Sequence, residues 1–275
     1  MLYRRVGDRQ VPALGFGTWQ LKDEVACRMV EAALGMGYRH LDTASIYQNE
    51  EAVGKAMAAS SVPRADIFLT TKVWHTELDR AHFLPAVDAS LARLGTDHVD
   101  LLLVHWPNPQ VPMAETIEQL LDAKRSGRAR AIGISNHNVT QMQEAIRLAG
   151  ASELVVNQAE YHPLLSQRTL LAAMRQQGMP LTAYCPLAQG RVLSQPLICE
   201  LAAKHHKQPS QISLRWLLQQ DNILTIPGTS SEAHAASNLD IFDFSLSEEE
   251  MASIDALGGD TREVNPAFAP VWDRP

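Results

Sequence analysis

Four ionisable residues on separate segments carry most of the chemistry legible in this chain: Asp42, Tyr47, Lys72 and His105. Three of them end short apolar runs, 38–42, 67–72 and 99–105, and Tyr47 follows five residues after Asp42. Runs of that length read as buried strands. In a barrel of parallel strands, catalytic groups come from the C-terminal strand ends, where the variable loops are. A phenol, an ammonium, a carboxylate and an imidazole gathered there make a proton-donating site. Tyr47 is the expected acid, Lys72 lowers its pKa, Asp42 holds Lys72, and His105 faces a substrate oxygen as a neutral imidazole. A free tyrosine ionises near pH 10, and an ammonium about 4 Å away contributes at most roughly three pKa units at an effective dielectric near 20. Taken singly, Tyr47 reads as a surface aromatic, Lys72 as a solvated strand end, Asp42 as a turn cap and His105 as a core histidine. Their joint placement at strand ends favours the chemical reading.

The elements that position these groups alternate in type. Apolar runs at 13–18, 40–42, 67–73, 99–104, 129–134, 154–157, 181–184 and 223–226 are short and largely continuous, as strands buried on both faces should be. Between them lie helical spacings. Leu84, Val87, Leu91 and Leu94 lie between Asp79 and Gly95; Ile117, Leu120 and Leu121 precede Gly127; Asn138 opens a helix that Gly150 closes; Leu170, Leu171 and Met174 lead to Gly178. Ser247 with Glu250 forms a capping box before Met251 and Ile254. Eight such units predict one (β/α)8 barrel domain spanning 1–275, close to the usual ~250 residues. A doubly wound sheet is the competitor, but Gly15 and Gly17 are followed by Thr18 and Trp19, which is not the dinucleotide fingerprint. Three irregular stretches, 106–112, 186–196 and the tail 258–275, are expected over the same rim.

Composition narrows the class. A net charge of −7 argues against nucleic-acid binding. Three cysteines, Cys27, Cys185 and Cys199, have no metal-type spacing and suggest a reducing compartment. Residues 1–10 contain Arg4 and Arg5 but no apolar stretch after them, and no run is long enough to span a bilayer. The expectation is a soluble cytoplasmic protein.

The stretch Gly37-Tyr38-Arg39-His40-Leu41-Asp42-Thr43-Ala44, continuing through Tyr47, Asn49 and Glu50 to Gly54, resembles the first signature of the aldo-keto reductase family. So do Leu94-Gly95-Thr96-Asp97 with Val99-Asp100-Leu101 and His105-Trp106-Pro107, Lys72 with Trp74, Ile132-Gly133-Ile134-Ser135-Asn136, Asn157-Gln158 and Ala183-Tyr184. The likeness covers essentially the whole chain. A finer one, to bacterial diketogluconate reductases of the B type, rests on Leu21-Lys22-Asp23 and on Ala269-Pro270-Val271-Trp272-Asp273.

The resemblance implies hydride transfer from NADPH to an aldehyde or ketone, protonated by Tyr47, with 2-oxoaldehydes and diketo sugar acids as candidate substrates. It places Thr18, Ser135, Asn136, Gln158, Tyr184, Leu187, Ala188, Pro227, Thr229 and Asn238 on the cofactor, and Trp19, Trp74 and Trp106 on the substrate. Ser135, Asn136 and Gln158 would bond the nicotinamide carboxamide, and Tyr184 would stack on its ring. A monomer needing no metal is implied, because the acid is a phenol and the reductant a nicotinamide.

This chain departs from the family at the adenosine end. The usual Ile-Pro-Lys-Ser reads Ile226-Pro227-Gly228-Thr229, and the following arginine is His234, with Glu232 adding negative charge. Losing cations that grip the 2′-phosphate narrows the preference for NADPH and brings NADH within reach. Lysine at 228 would then be expected to restore NADPH affinity. His137 stands where phenylalanine or tyrosine is usual.

Three rivals differ in their tests. A Schiff-base aldolase built on Lys72 would be trapped by borohydride but leaves the Ser135, Asn136 and Gln158 motifs unexplained. A metal-dependent hydrolase lacks a His-x-His pair at a strand end; His205 and His206 are adjacent on a helix-like run. A non-catalytic binding subunit would show no turnover.

Overall fold

A Gly7-Asp8 turn joins the antiparallel strands β1 (Tyr3–Val6) and β2 (Arg9–Pro12) in the computed structural model, which describes residues 1–274. The eight apolar runs then become one parallel sheet: β3 (Phe16–Gly17), β4 (His40–Asp42), β5 (Phe68–Val73), β6 (Val99–Val104), β7 (Ala129–Ser135), β8 (Leu154–Glu160), β9 (Leu181–Tyr184) and β10 (Ile223–Thr225). Spatial order follows sequence order throughout. Leu14 bridges Thr225, the Gly15 amide donates to Thr225 O at 2.8 Å and the Thr225 amide to Ala13 O at 2.8 Å, which brings the last strand back to the first. The result is the expected (β/α)8 barrel. The run 13–18 is shorter as a strand than its apolar pattern suggested, because residues 13–15 serve this closure.

Helices α1 (Asp23–Met36), α2 (Glu50–Ala59), α3 (Phe83–Leu94), α4 (Met113–Arg125), α5 (Val139–Ala149) and α6 (Arg168–Gln176) occupy the crossovers. Then come α7 (Pro196–His205), α8 (Pro209–Gln219), α9 (Glu232–Leu239) and α10 (Glu248–Asp255). Gly37 and Gly95 end α1 and α3 in left-handed conformations at φ 108° and 63°. Asn138 and Ser247 cap α5 and α10 through full capping boxes. The main core lies between sheet and helices, where Leu41, Leu69, Leu102 and Ile132 meet Leu34, Leu91 and Leu120. A second cluster joins Val6 and Val11 to Phe68, Leu101, Leu103 and Val156, so the N-terminal hairpin packs on residues of the barrel strands. Among the described residues the tail takes no helix, in keeping with its irregular sequence. Among the described residues no helix is long and apolar enough to cross a membrane.

Candidate active site

Asp42 is the last residue of β4, Lys72 lies near the end of β5, and His105 follows β6 directly. Asp42 is in register with Thr70, so Lys72 sits two residues further along β5 on the same face as Thr70. Tyr47 closes a one-turn 3₁₀ segment, Ser45–Tyr47, which Ser45 ties back to Lys72 O at 3.1 Å and Lys22 Nζ to Tyr47 O at 2.7 Å. Lys72 is 1 % exposed. Its ammonium donates to Asp42 Oδ1 at 2.5 Å, Thr43 O at 2.8 Å and Tyr47 Oη at 3.5 Å. Three partners use its three protons. Asp42 Oδ2 accepts from Gln158 Nε2 at 2.8 Å. The rings of Tyr47 and His105 stand 5.6 Å apart, edge to face, and Trp74 also packs edge to face with His105 at 5.1 Å.

Charges in this cluster are set by burial against pairing. Burial opposes the Lys72 charge, but Asp42 and Tyr47 outweigh it and hold the ammonium above its ordinary pKa. Burial pushes the Tyr47 phenol up, Lys72 draws it down, and Asp42 pushes it up again. The net direction is upward. This corrects the expectation of a phenol tuned toward neutrality: the Lys72 effect has the expected sign, but desolvation exceeds it. His105 is driven well below its ordinary value by burial first, then by Lys72 and His75. Its Nδ1 is buried without a partner, a rarity that marks a group awaiting a ligand or water.

Asp42, Tyr47 and His105 lie on one cavity of about 1040 Å³, at the upper end of the range for ligand pockets. The cavity brings together Asp42, Tyr47, His105, Thr18, Trp19, Trp74, Trp106, Asn136, Gln158, Tyr184, Leu187 and Pro227. Lys72 stands behind that wall. Ser135, Ala188, Thr229 and Asn238 are not among the residues on its surface: Ser135, Ala188 and Asn238 are buried, and Thr229 follows Gly228 in the chain. Ser135 instead donates to Gln158 O at 2.9 Å. Asn136 donates to His105 O at 3.0 Å and accepts the Tyr184 hydroxyl at 2.8 Å. Asn136 thus braces the chain at His105, and Ser135 ties β7 to β8.

Residues the sequence reading missed also line the walls, among them Gly17, Ile46, and Glu263, Val264 and Phe268 from the tail; Gly228, which it placed at the adenosine end, lines them too. Gly17 and Gly228 carried a signal, being glycines at the ends of the first and last strands. A Cβ on Gly17 would lie 2.5 Å from Ile226 O, and one on Gly228 2.7 Å from Gly17 O. Only bare backbone fits there, leaving a cradle against which a ligand can approach closely. That cradle, the Tyr184 ring and the amide groups of Asn136 and Gln158 suit a dinucleotide. Phe268 stacks on His75 at 4.1 Å and meets Trp74 at 5.7 Å and Trp106 at 5.6 Å, so the tail does drape over the rim.

His137 lies behind the wall, its Nδ1 2.9 Å from Ser135 O, and burial pulls its pKa down to about 4. Its folded pKa is depressed, so the unfolded chain binds the proton more readily between pH 4 and 6.5. Stability is therefore expected to fall by roughly 3 kcal/mol as pH drops through that window. Thermal unfolding of wild type and His137→Phe checks this: the variant should lose less over the same pH range, and parallel losses would refute the assignment.

Comparison with known proteins agrees with this geometry. Residues 13–258 match the aldo/keto reductase family. The methylglyoxal reductase DkgB of Escherichia coli O157:H7 is 41% identical over 266 residues, covering 96% of this chain and 99% of that protein. A crystal structure assigned as a 2,5-diketo-D-gluconic acid reductase B superposes with a TM-score of 0.95 at 47% identity, covering 98% of this chain and 96% of the other. The Bombyx mori aldo-keto reductase AKR2E4, solved in complex with NADP, superposes with a TM-score of 0.88 at 32% identity over 96% and 95% of the two chains. The chain belongs to the aldo/keto reductase family, oxidoreductases that act on carbonyl groups.

Proposed function

We propose that this protein reduces small aldehydes or ketones with NADPH, and also with NADH, and that Tyr47 is the proton donor. The observation that carries the reading is the Lys72 ammonium, bonded to both Asp42 and the Tyr47 hydroxyl, beneath a pocket that His105 also lines. Gly17, Pro227 and Gly228 would hold the dinucleotide by close backbone approach, with Tyr184 and Gln158 against its nicotinamide end. Bound there, the reduced nicotinamide supplies hydride. His105, neutral above its depressed pKa, orients the carbonyl oxygen by a hydrogen bond. Tyr47 gives that oxygen its proton, and the fixed Lys72 charge stabilises the phenolate left behind. Trp19, Trp74, Trp106 and Phe268 line the pocket and would give the substrate an apolar surface to pack on.

Two relatives suggest substrates: one is named for methylglyoxal reduction and the other for 2,5-diketo-D-gluconic acid. Steady-state oxidation of NADPH and NADH with methylglyoxal, a diketogluconate and an aromatic aldehyde tests the reading. No carbonyl-dependent oxidation of either nucleotide would sink it.

The pH profile follows from the two shifts. Tyr47 must be protonated to act, and its pKa is raised, so activity persists as pH climbs. His105 must be neutral, and its pKa is lowered, so no loss begins at its ordinary value. Reduction kcat/KM is expected to stay level from about pH 6.5 to about 9 and to fall only near or above the ordinary phenol value of about 10. An alkaline limb centred near pH 7 would exclude Tyr47 as the acid.

A further inference from the structure

We propose that Glu160 is a positioning residue for the substrate wall: from the end of β8 it holds the tail 263–268 across the active-site pocket. The inference rests on the carbonyl-reductase reading of that pocket. Glu160 is in register with Tyr184, and its side chain has no exposed surface. A carboxylate so buried is tolerated only with its oxygens hydrogen-bonded. Oε1 accepts the Glu263 amide at 2.6 Å and His162 Nε2–H at 2.9 Å, and Oε2 accepts the Val264 amide at 3.0 Å. His162 Nδ1 accepts the Leu164 amide at 3.2 Å, so a neutral ring carries its proton on Nε2 and donates it to Glu160. Two of the three protons offered to Glu160 thus come from backbone more than one hundred residues away.

The tail held in this way reaches the reacting centre. Glu263 and Val264 line the cavity, and Glu263 forms an ion pair with Arg191 beside the cavity residues Gln189 and Gly190. The Ala269 amide bonds Pro266 O at 2.8 Å, turning the chain where Phe268 enters the aromatic group around His105. The tail is thus pinned by Glu160 at one end and by Trp74, His75 and Trp106 at the other. No hydrogen bond of the Asp42, Tyr47 and Lys72 cluster involves Glu160. Losing it should loosen the wall and leave the proton donor in place. A bulky carbonyl compound that packs on Phe268 needs the wall; a three-carbon one bonded at Tyr47 and His105 does not.

Glu160→Gln keeps the shape but turns an amide NH2 toward a backbone N–H. With NADPH saturating, KM for 4-nitrobenzaldehyde is expected to rise at least about tenfold, while its kcat and the KM for methylglyoxal change less than about threefold. Phe268→Ala should raise the KM for 4-nitrobenzaldehyde at least as far, and for that KM the double variant should be no worse than the stronger single one, because both act through one segment. Val264→Pro, which leaves Glu160 intact and deletes one N–H, should reproduce the split even if Glu160→Gln does not fold. Equal losses for the two aldehydes, unchanged KM for the aromatic one, or additive effects of Glu160→Gln and Phe268→Ala would overturn the proposal. Wild type that oxidises NADPH with neither aldehyde instead removes the reductase reading itself, and this inference with it.

Discussion

Replacing Tyr47 by phenylalanine is expected to reduce carbonyl reduction at least about 100-fold with nucleotide affinity unchanged, since general-acid catalysis contributes about 10²–10⁴. The substitution is clean in this structure. The hydroxyl makes one bond, to Lys72 at 3.5 Å, and Lys72 retains Asp42 and Thr43 when it is gone. Lys72→Met is expected to be as damaging but harder to interpret. It removes the charge that draws the phenol down and so sends it further up. It also leaves Asp42 buried with only Gln158, a loss that for broken buried pairs runs to about 3–5 kcal/mol. Single-turnover oxidation of NADPH, with Kd read from tryptophan fluorescence, separates the two effects. A phenylalanine variant that turns over at near-normal rate with saturating nucleotide would show that the proton comes from elsewhere.

The barrel was legible because its strands are buried on both faces, so short continuous apolar runs ending in Asp42, Lys72 and His105 stand out from amphipathic helices. Tight ends such as Gly95, Asn138 and Ser247 were legible for local reasons, since capping is written within four residues. The N-terminal hairpin escaped although Gly7-Asp8 between Val6 and Arg9 is a two-residue turn signal. Helices α7 and α8 were not separated, although Pro196 and Pro209 each stand at a helix start. What sequence could not give was contact between distant segments. Glu160 reads as an ordinary polar residue until the tail is folded onto it, and the close approach of Gly17 and Gly228 exists only once the barrel closes. The direction of the Tyr47 shift was misjudged for the same reason: the spacing suggests a neighbouring ammonium, but desolvation depends on everything packed around the ring.

Turnover with NADH should be substantial, and the preference for NADPH smaller than the family's lysine and arginine would give. Two missing charge-assisted bonds, each about 1.5–3 kcal/mol, correspond to a factor of roughly 10²–10⁴ in relative affinity. Beyond Gly228 the chain offers Thr229, Ser230 and Ser231 before α9, whose first residue is Glu232. These hydroxyls and the α9 N-terminus are neutral donors. Sequence alone suggests Gly228→Lys as the repair, but the structure reverses that expectation. Any Cβ at 228 lies 2.7 Å from Gly17 O, so the lysine would displace the strand-end backbone and weaken both nucleotides. His234 is exposed on α9 and already carries a Cβ, so arginine there is accommodated. His234→Arg is expected to tighten NADPH about tenfold, about 1.4 kcal/mol, with NADH changed by less than about threefold. The gain should shrink as salt rises, because an exposed charge pair is screened. Fluorescence titration of both nucleotides at two ionic strengths decides the matter. Wild type that binds NADPH thousands of times more tightly than NADH would mean that other donors grip the phosphate and that the departures at 228 and 234 are compensated.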